Sequence, residues 1–143
     1  MQDMTTTQYR KFMMGRPRTG KLATVRKDGR PHVAPIWFIL DGDDLLFTTW
    51  HQSVKAANLI HENRVALCVD DEEPPFAYAI VEGVVHIEKS PDSDEMLHWA
   101  TELARRYMGE ELAESYGKRN AVEGEWLLRI KPTKIIAKMG IAD

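Results

Sequence analysis

Apolar residues follow two periods along this chain, and the changes of period mark its elements. Thr5–Met14 places Tyr9, Phe12 and Met13 at helical spacing behind a threonine cap. Gly15-Arg16-Pro17-Arg18-Thr19-Gly20 ends that helix. Lys21–Arg26 mixes apolar Leu22, Ala23 and Val25 with polar residues in a strand-like run. Asp28-Gly29 follows, the strongest short-range hairpin signal. The return strand is the long apolar run Pro31–Leu40, in which Pro35 predicts an interrupted ladder, at a bulge or an edge. Asp41-Gly42-Asp43-Asp44 turns the chain into a third strand, Leu45–Trp50.

Beyond it the pattern turns helical. Ser53 caps a helix over Val54–Asn63. Arg64–Asp70 is a β-branched strand, and Phe76–Glu88 reads as a long one with Gly83 at a bend or bulge. Pro91 and the acids after it start a helix that runs to about Met108, apolar at Met96, Leu97, Ala100, Leu103, Ala104 and Tyr107. Gly109 stops it, and Glu110–Tyr116 adds a turn or two. Trp126–Ile130 and Lys134–Lys138 predict two closing strands around a Lys131-Pro132-Thr133 turn. Antiparallel hairpins with later helical insertions predict a mainly-β α+β fold, a barrel of six or seven strands with three helices.

Composition narrows the function. The 143 residues make one domain, 1–143, and a net charge of −3 supplies no protein-wide cationic field for nucleic acid. One cysteine rules out an intrachain disulfide and a Cys-rich zinc module. No apolar run approaches the ~20 residues that cross a bilayer. The first residues lack a signal pattern, so the expected location is cytoplasmic, with no membrane partner.

Phosphate-cradling glycine loops are missing, and the five histidines lack the spacing of a zinc hydrolase, so no metal site is expected. Cys68, mid-strand among apolar residues, reads as a buried, inert thiol. The informative stretch is Thr48-Thr49-Trp50-His51-Gln52-Ser53-Val54-Lys55. Two hydroxyls at a strand end lead into a capped helix mouth carrying a lysine, a combination that would grip a phosphate; a capped helix with an exposed lysine is the alternative. Trp37, Trp50 and Trp126 offer flat surfaces for a planar heterocycle or for the core.

A resemblance now emerges. Leu22-Ala23-Thr24-Val25, Asp28-Gly29-Arg30-Pro31-His32-Val33, Pro35-Ile36-Trp37-Phe38, Phe47-Thr48-Thr49, Ser53-x-Lys55-x-x-Asn58-Leu59, Asn63-Arg64-Val65-Ala66-Leu67 and Val81-Glu82-Gly83 occur in that order. Together they resemble the pyridoxamine 5′-phosphate oxidase-like, FMN-binding split-barrel superfamily, more closely its actinobacterial deazaflavin (coenzyme F420)-dependent reductases. Arg105-Arg106-Tyr107-Met108-Gly109 is similar to that subgroup too.

The resemblance implies a six-stranded antiparallel split β-barrel with peripheral helices, forming a homodimer with a cofactor in each of two interfacial grooves. It implies phosphate contacts from Thr48, Thr49, Ser53 and Lys55, with Val54 in the same helix mouth. His32, Val33, Ala34, Pro35, Ile36 and Trp37 match the strand that lies along the ring. Tyr78 matches a cofactor-contacting position, and Asn58 and Arg106 are further candidates. Where FMN-binding oxidases carry an arginine and a lysine, this chain has Ala34 and Ile39. That departure favours coenzyme F420 over FMN, with Lys21, Lys55, Arg16 and Arg18 available to its anionic tail. The expected activity is hydride transfer from the reduced deazaflavin to a planar conjugated small molecule, biliverdin-, quinone- or enone-like, with no catalytic residue assigned. An FMN-dependent oxidoreductase, a non-catalytic F420-binding protein and a heme-binding variant are the alternatives.

Overall fold

The computed structural model describes Met1–Asp143. In chain order the elements are β1 (Gln2–Asp3), α1 (Thr6–Met14), β2 (Gly20–Val25), β3 (Pro31–Ile36), β4 (Ile39–Asp41), β5 (Asp44–Trp50), α2 (Val54–His61), β6 (Arg64–Asp71), β7 (Ala77–Glu88), α3 (Ser93–Met108), α4 (Glu110–Asn120) and β8 (Glu125–Met139). The strands form one antiparallel sheet in the order β3-β2-β6-β7-β8-β5-β4, with β1 on β8. No helix is long and apolar enough to cross a membrane.

The connectivity forces the sheet to curl. β3 and β4 sit at opposite ends of the strand order, yet only Trp37 and Phe38 separate them in sequence. The three steps from Ile36 to Ile39 reach at most about 10 Å, so the two edges must come together there. The edges meet without joining by a ladder, which makes the barrel a split one.

Strand alternation then sorts side chains inward and outward. The inward set, including Leu22, Leu45, Phe47, Leu67, Val81, Leu128 and Ile130, joins Phe38 and the helix residues Tyr9, Met13 and Leu59 in a core of 17 buried residues. Each such side chain contributes roughly 1.5–3 kcal/mol by leaving water. The outward residues Leu46 and Leu127 form a second cluster under Met96 and Leu103 of α3, flanked by Trp37, Ile39, Trp99 and Tyr107. The helical insertion thus packs on the outer face of β5 and β8, and that placement creates the site.

Four expectations change. The predicted two closing strands are a single one, β8, and the proline turn is a bulge. Pro132 pairs with Gly83 and Lys134 with Glu82, leaving Thr133 as the extra residue, its hydroxyl bonded to the Glu82 carbonyl at 3.2 Å. The partners of β8 on its other side stop at Ile130 and resume at Lys138, so a proline here disturbs no second ladder. The long second run breaks at Trp37-Phe38, beyond Pro35, which lies in β3 at the sheet edge. The turn or two after Gly109 is a full helix of 11 residues, making four helices. Leu97 is exposed, outside the face of α3 that buries Met96, Ala100, Leu103 and Ala104.

Candidate functional site

The site is built where β5 ends and α2 begins. Ser53 is the N-cap of α2: its hydroxyl accepts from the Ala56 amide at 3.0 Å. The Val54 and Lys55 amides, one turn too early for an intrahelical acceptor, are left at the mouth. No acidic residue occupies the first turn, so the positive end of the helix dipole is uncompensated. Lys55 adds a full charge there. It is half-buried and has no carboxylate partner, whereas Lys21 pairs with Asp70 at 3.2 Å, Arg16 with Glu73 at 3.2 Å and Arg18 with Asp71 at 3.0 Å. Of the four cations offered to an anionic tail, Lys55 is the one left free.

Thr48 and Lys55 line, with Pro35, Ile36 and Trp37, a cleft of about 240 Å³ closed on the helical side by Ala100, Leu103 and Asn120. The strand expected along a planar ring and the helix mouth expected for a phosphate therefore meet in space. Half-buried Trp37 provides the aromatic wall, its ring stacked on Tyr107 with centroids 5.1 Å apart. The Tyr107 hydroxyl accepts from the Phe38 amide at 3.2 Å and donates to the Arg18 carbonyl at 2.9 Å. Burial pushes that phenol up from its usual pKa.

The two threonines do not act together. Successive strand residues face opposite ways, so Thr48 looks out into the cleft while Thr49 is buried in the barrel, its hydroxyl 2.8 Å from that of Ser53. Thr49 supports the cap and leaves the cleft to Thr48. Ser53, Val54 and Asn58 line a second depression with Arg26, Lys27, Asp28 and Arg30 of the β2–β3 hairpin. On β3, His32 and Ala34 are half-buried and Val33 and Pro35 exposed; the His32 Nδ1 atom is buried without a partner.

Three further candidates lie outside the cleft that Thr48 and Lys55 line. Asn58 is buried and donates to the Thr24 hydroxyl at 3.0 Å, tying α2 to β2. Arg106 donates to the Met13 carbonyl at 2.7 Å and the Arg16 carbonyl at 3.2 Å, with its guanidinium 5.0 Å from the Phe38 ring centroid; it ties α3 to the end of α1. Tyr78 stands ten positions along β7 from Glu88, the residue level with Leu127 and hence with Thr48. That is on the order of 30 Å of extended strand, too far for Tyr78 and Lys55 of one chain to share a small ligand. Cys68 is half-buried rather than buried, since it alternates with inward Leu67 and Val69 and so faces out; burial, then Asp70, raises its thiol pKa.

The residues fit a flat, anion-bearing cofactor in part. The uncompensated mouth with Lys55 and Thr48 suits the anion, and Trp37 suits the ring. The cleft falls below the roughly 300–1,000 Å³ of a usual small-molecule site. Ala34 and Ile39 bring no charge, and Ile39 packs in the cluster under α3. Ala100, Leu103, Asn120 and the nearby Glu125 were not anticipated. The apolar pair was legible as a helix face, but not the strands that face would cover.

Fold and site together define a split-barrel protein in which the uncompensated mouth of α2, with Lys55, opens onto an aromatic-walled cleft. The sequence matches the family profile described as pyridoxamine 5′-phosphate oxidase over residues 5–138, and the chain belongs to that family. Among solved structures it is similar to an F420 reductase, at 31% identity over 87% of this chain and 94% of that one, TM-score 0.70. It shares its fold with the conserved hypothetical protein Rv2991 from Mycobacterium tuberculosis, at 24% identity over 94% and 84% of the two chains, TM-score 0.79. It shares it also with HutZ, the heme storage protein from Vibrio cholerae, at 19% identity over 96% and 98%, TM-score 0.73. A comparison with curated sequences finds no match.

Proposed function

We propose that this protein is a deazaflavin (coenzyme F420)-dependent oxidoreductase that reduces a planar conjugated small molecule of biliverdin, quinone or enone type. The observation that carries the reading is the joining of unpaired Lys55 and the Thr48 hydroxyl to the Trp37 wall in one cleft, with uncharged Ala34 and Ile39 nearby. Likeness to an F420 reductase at 31% identity supports the same choice of cofactor.

When bound, the deazaflavin supplies two-electron hydride chemistry. The chain's own contribution is positioning. Lys55, the Val54 and Lys55 amides and Thr48 hold the anionic group, and Trp37 fixes the ring plane beside β3. Leu103 and Ala100 exclude water from the cleft. Holding two planar partners face to face supplies much of the acceleration such a reaction needs.

The complete site takes a second copy of the chain. One protomer encloses only about 240 Å³, and Tyr78 reaches a shared ligand only from another protomer. Light scattering at micromolar concentration tests this: a homodimer is expected, and a monomer that still binds cofactor tightly would refute it.

The cofactor assignment is tested by fluorescence titration with the deazaflavin coenzyme and, separately, FMN. Micromolar or tighter deazaflavin binding with weak FMN binding is expected. The reverse preference would move the protein to flavin chemistry. Tight deazaflavin binding with no turnover across quinones, enones and biliverdin would make it a carrier.

A further inference from the structure

Glu125 opens β8 directly beside the helix mouth. In the ladder it lies opposite Trp50, with Thr48 opposite Leu127. Residues paired across antiparallel strands share a face, and long side chains reach their diagonal neighbours. Glu125 and Thr48 therefore point to the same outer face, one diagonal step apart.

The placement is fixed by the preceding glycine. Gly124 has φ +94°, and a Cβ there would come within 2.8 Å of both the His51 Nδ1 atom and the Trp50 ring. Without a side chain, the turn between β5 and α2 closes onto it. The His51 amide donates to the Gly124 carbonyl at 2.9 Å, and the His51 ring meets the same oxygen at 3.1 Å. This clamp sets the half-buried acid beside α2. The charged groups that act on it are Lys55 from α2 and His51 from the turn, and Thr48 of β5 offers a hydroxyl. Glu88 of β7 acts instead on Arg129, and Lys89, just past the strand, lies over the Trp126 ring. Partial burial outweighs these attractions and holds the carboxyl above the usual carboxylate range. Glu125 and Lys55 thus both act close to Thr48, the acid from the edge of the cleft and the cation from its lining, and neither is ion-paired.

We propose that Glu125 is an internal competitor for the anion mouth. As a carboxylate it takes up the Thr48 hydroxyl and offsets the charge of Lys55. As the neutral acid it yields both to an incoming phosphate-like group. The inference rests on the reading of the α2 mouth as an anion site. It makes ligand affinity fall as pH rises through the titration of Glu125, a sensitivity that a bare lysine and helix terminus would lack.

Sulfate is a suitable probe, because its charge is constant between pH 5 and 8. Its binding is to be followed by amide NMR of the full chain at constant ionic strength. For the wild type, affinity is expected to fall as pH rises across that range. Glu125→Gln should bind more tightly at pH 8 and with almost no pH dependence, whereas His51→Gln should keep most of the slope. By linkage, saturating sulfate should raise the pH midpoint of the Glu125 side-chain 13C signal in the wild type, a readout needing no variant. An unmoved midpoint, or a wild-type slope retained in Glu125→Gln, or one abolished by His51→Gln, overturns the role of Glu125. If Lys55→Ala binds sulfate as well as the wild type does, the anion-site reading itself fails, and the proposal with it.

Discussion

The ring of Trp37 lies parallel to that of Tyr107, with 4° between their planes, so one face of the cleft's aromatic wall is held by the last turn of α3. The Tyr107 hydroxyl also secures the two-residue break at which β3 passes to β4, through the Phe38 amide. Tyr107→Phe keeps the stack and is expected to cost about 1–3 kcal/mol, because a buried amide loses its acceptor. Tyr107→Leu should cost about 0.5–1.5 kcal/mol more and weaken cofactor binding as Trp37 loosens. Urea unfolding with parallel cofactor titration reads both. Equal stability for the two variants would show that the stack contributes nothing.

Lys55→Ala should separate stability from binding. A cation in the first turn opposes the helix dipole, and no first-turn acid offsets it. Its removal should therefore leave stability unchanged or raise it by a few tenths of a kcal/mol. Cofactor binding should weaken by about 1–3 kcal/mol, the loss of a charged hydrogen bond. An unchanged dissociation constant would remove Lys55 from the site.

Asn58→Ala should do the opposite. It strands the Thr24 hydroxyl in a buried position, with an expected loss of about 1–3 kcal/mol in stability and little change in the affinity of the folded protein. A large affinity loss at unchanged stability would restore Asn58 as a ligand contact.

Glu125 predicts a sign for stability against pH. Its folded-state pKa is raised above the ordinary value of 4.5, so folding favours the neutral acid. The stabilisation is complete below that ordinary value and is lost as pH rises through the raised one. Glu125→Gln should thus be more stable than the wild type at neutral pH, with the gap closing toward pH 4. Thermal melts across that range provide the check, and a gap that widens on acidification would reverse the assignment.

Gly117 sets the spacing between α3 and α4. A Cβ there would fall 2.2 Å from the Thr101 hydroxyl and 2.8 Å from its Cα, so Gly117→Ala must push the helices apart. The expected cost is about 1–3 kcal/mol, together with weaker cofactor binding as Asn120 and Leu103 shift. Unaltered stability and binding would show that the pair adjusts freely.

The sequence was most legible where one local rule operates. The Asp28-Gly29 hairpin, the Ser53 cap and the Gly83 bulge each follow from a single residue's chemistry. The bulge moved the misread turn at Lys131-Pro132-Thr133 into a continuous strand, because a proline at a bulge, where β8 has no second partner, interrupts nothing. Thr48 and Thr49 look equivalent in sequence, yet the two-residue period of a strand sends one to the cleft and the other to the cap. Asn58 and Arg106 carry polar groups of a kind that sites use. Only their partners, Thr24 and the carbonyls of Met13 and Arg16, show that they hold elements together.

By itself, the sequence determined the hairpins, the helix mouth with its lysine, and the family likeness, because periodicity, caps and turn residues act over a few neighbours. Tertiary structure alone decided that Trp37 meets Lys55, that α3 roofs the cleft and that Glu125 lies beside Thr48. Those meetings depend on closing a seven-strand order whose ends are only two residues apart in the chain. Closure is a global constraint that burial of the barrel core imposes, and no local pattern of residues encodes which outward faces it brings together.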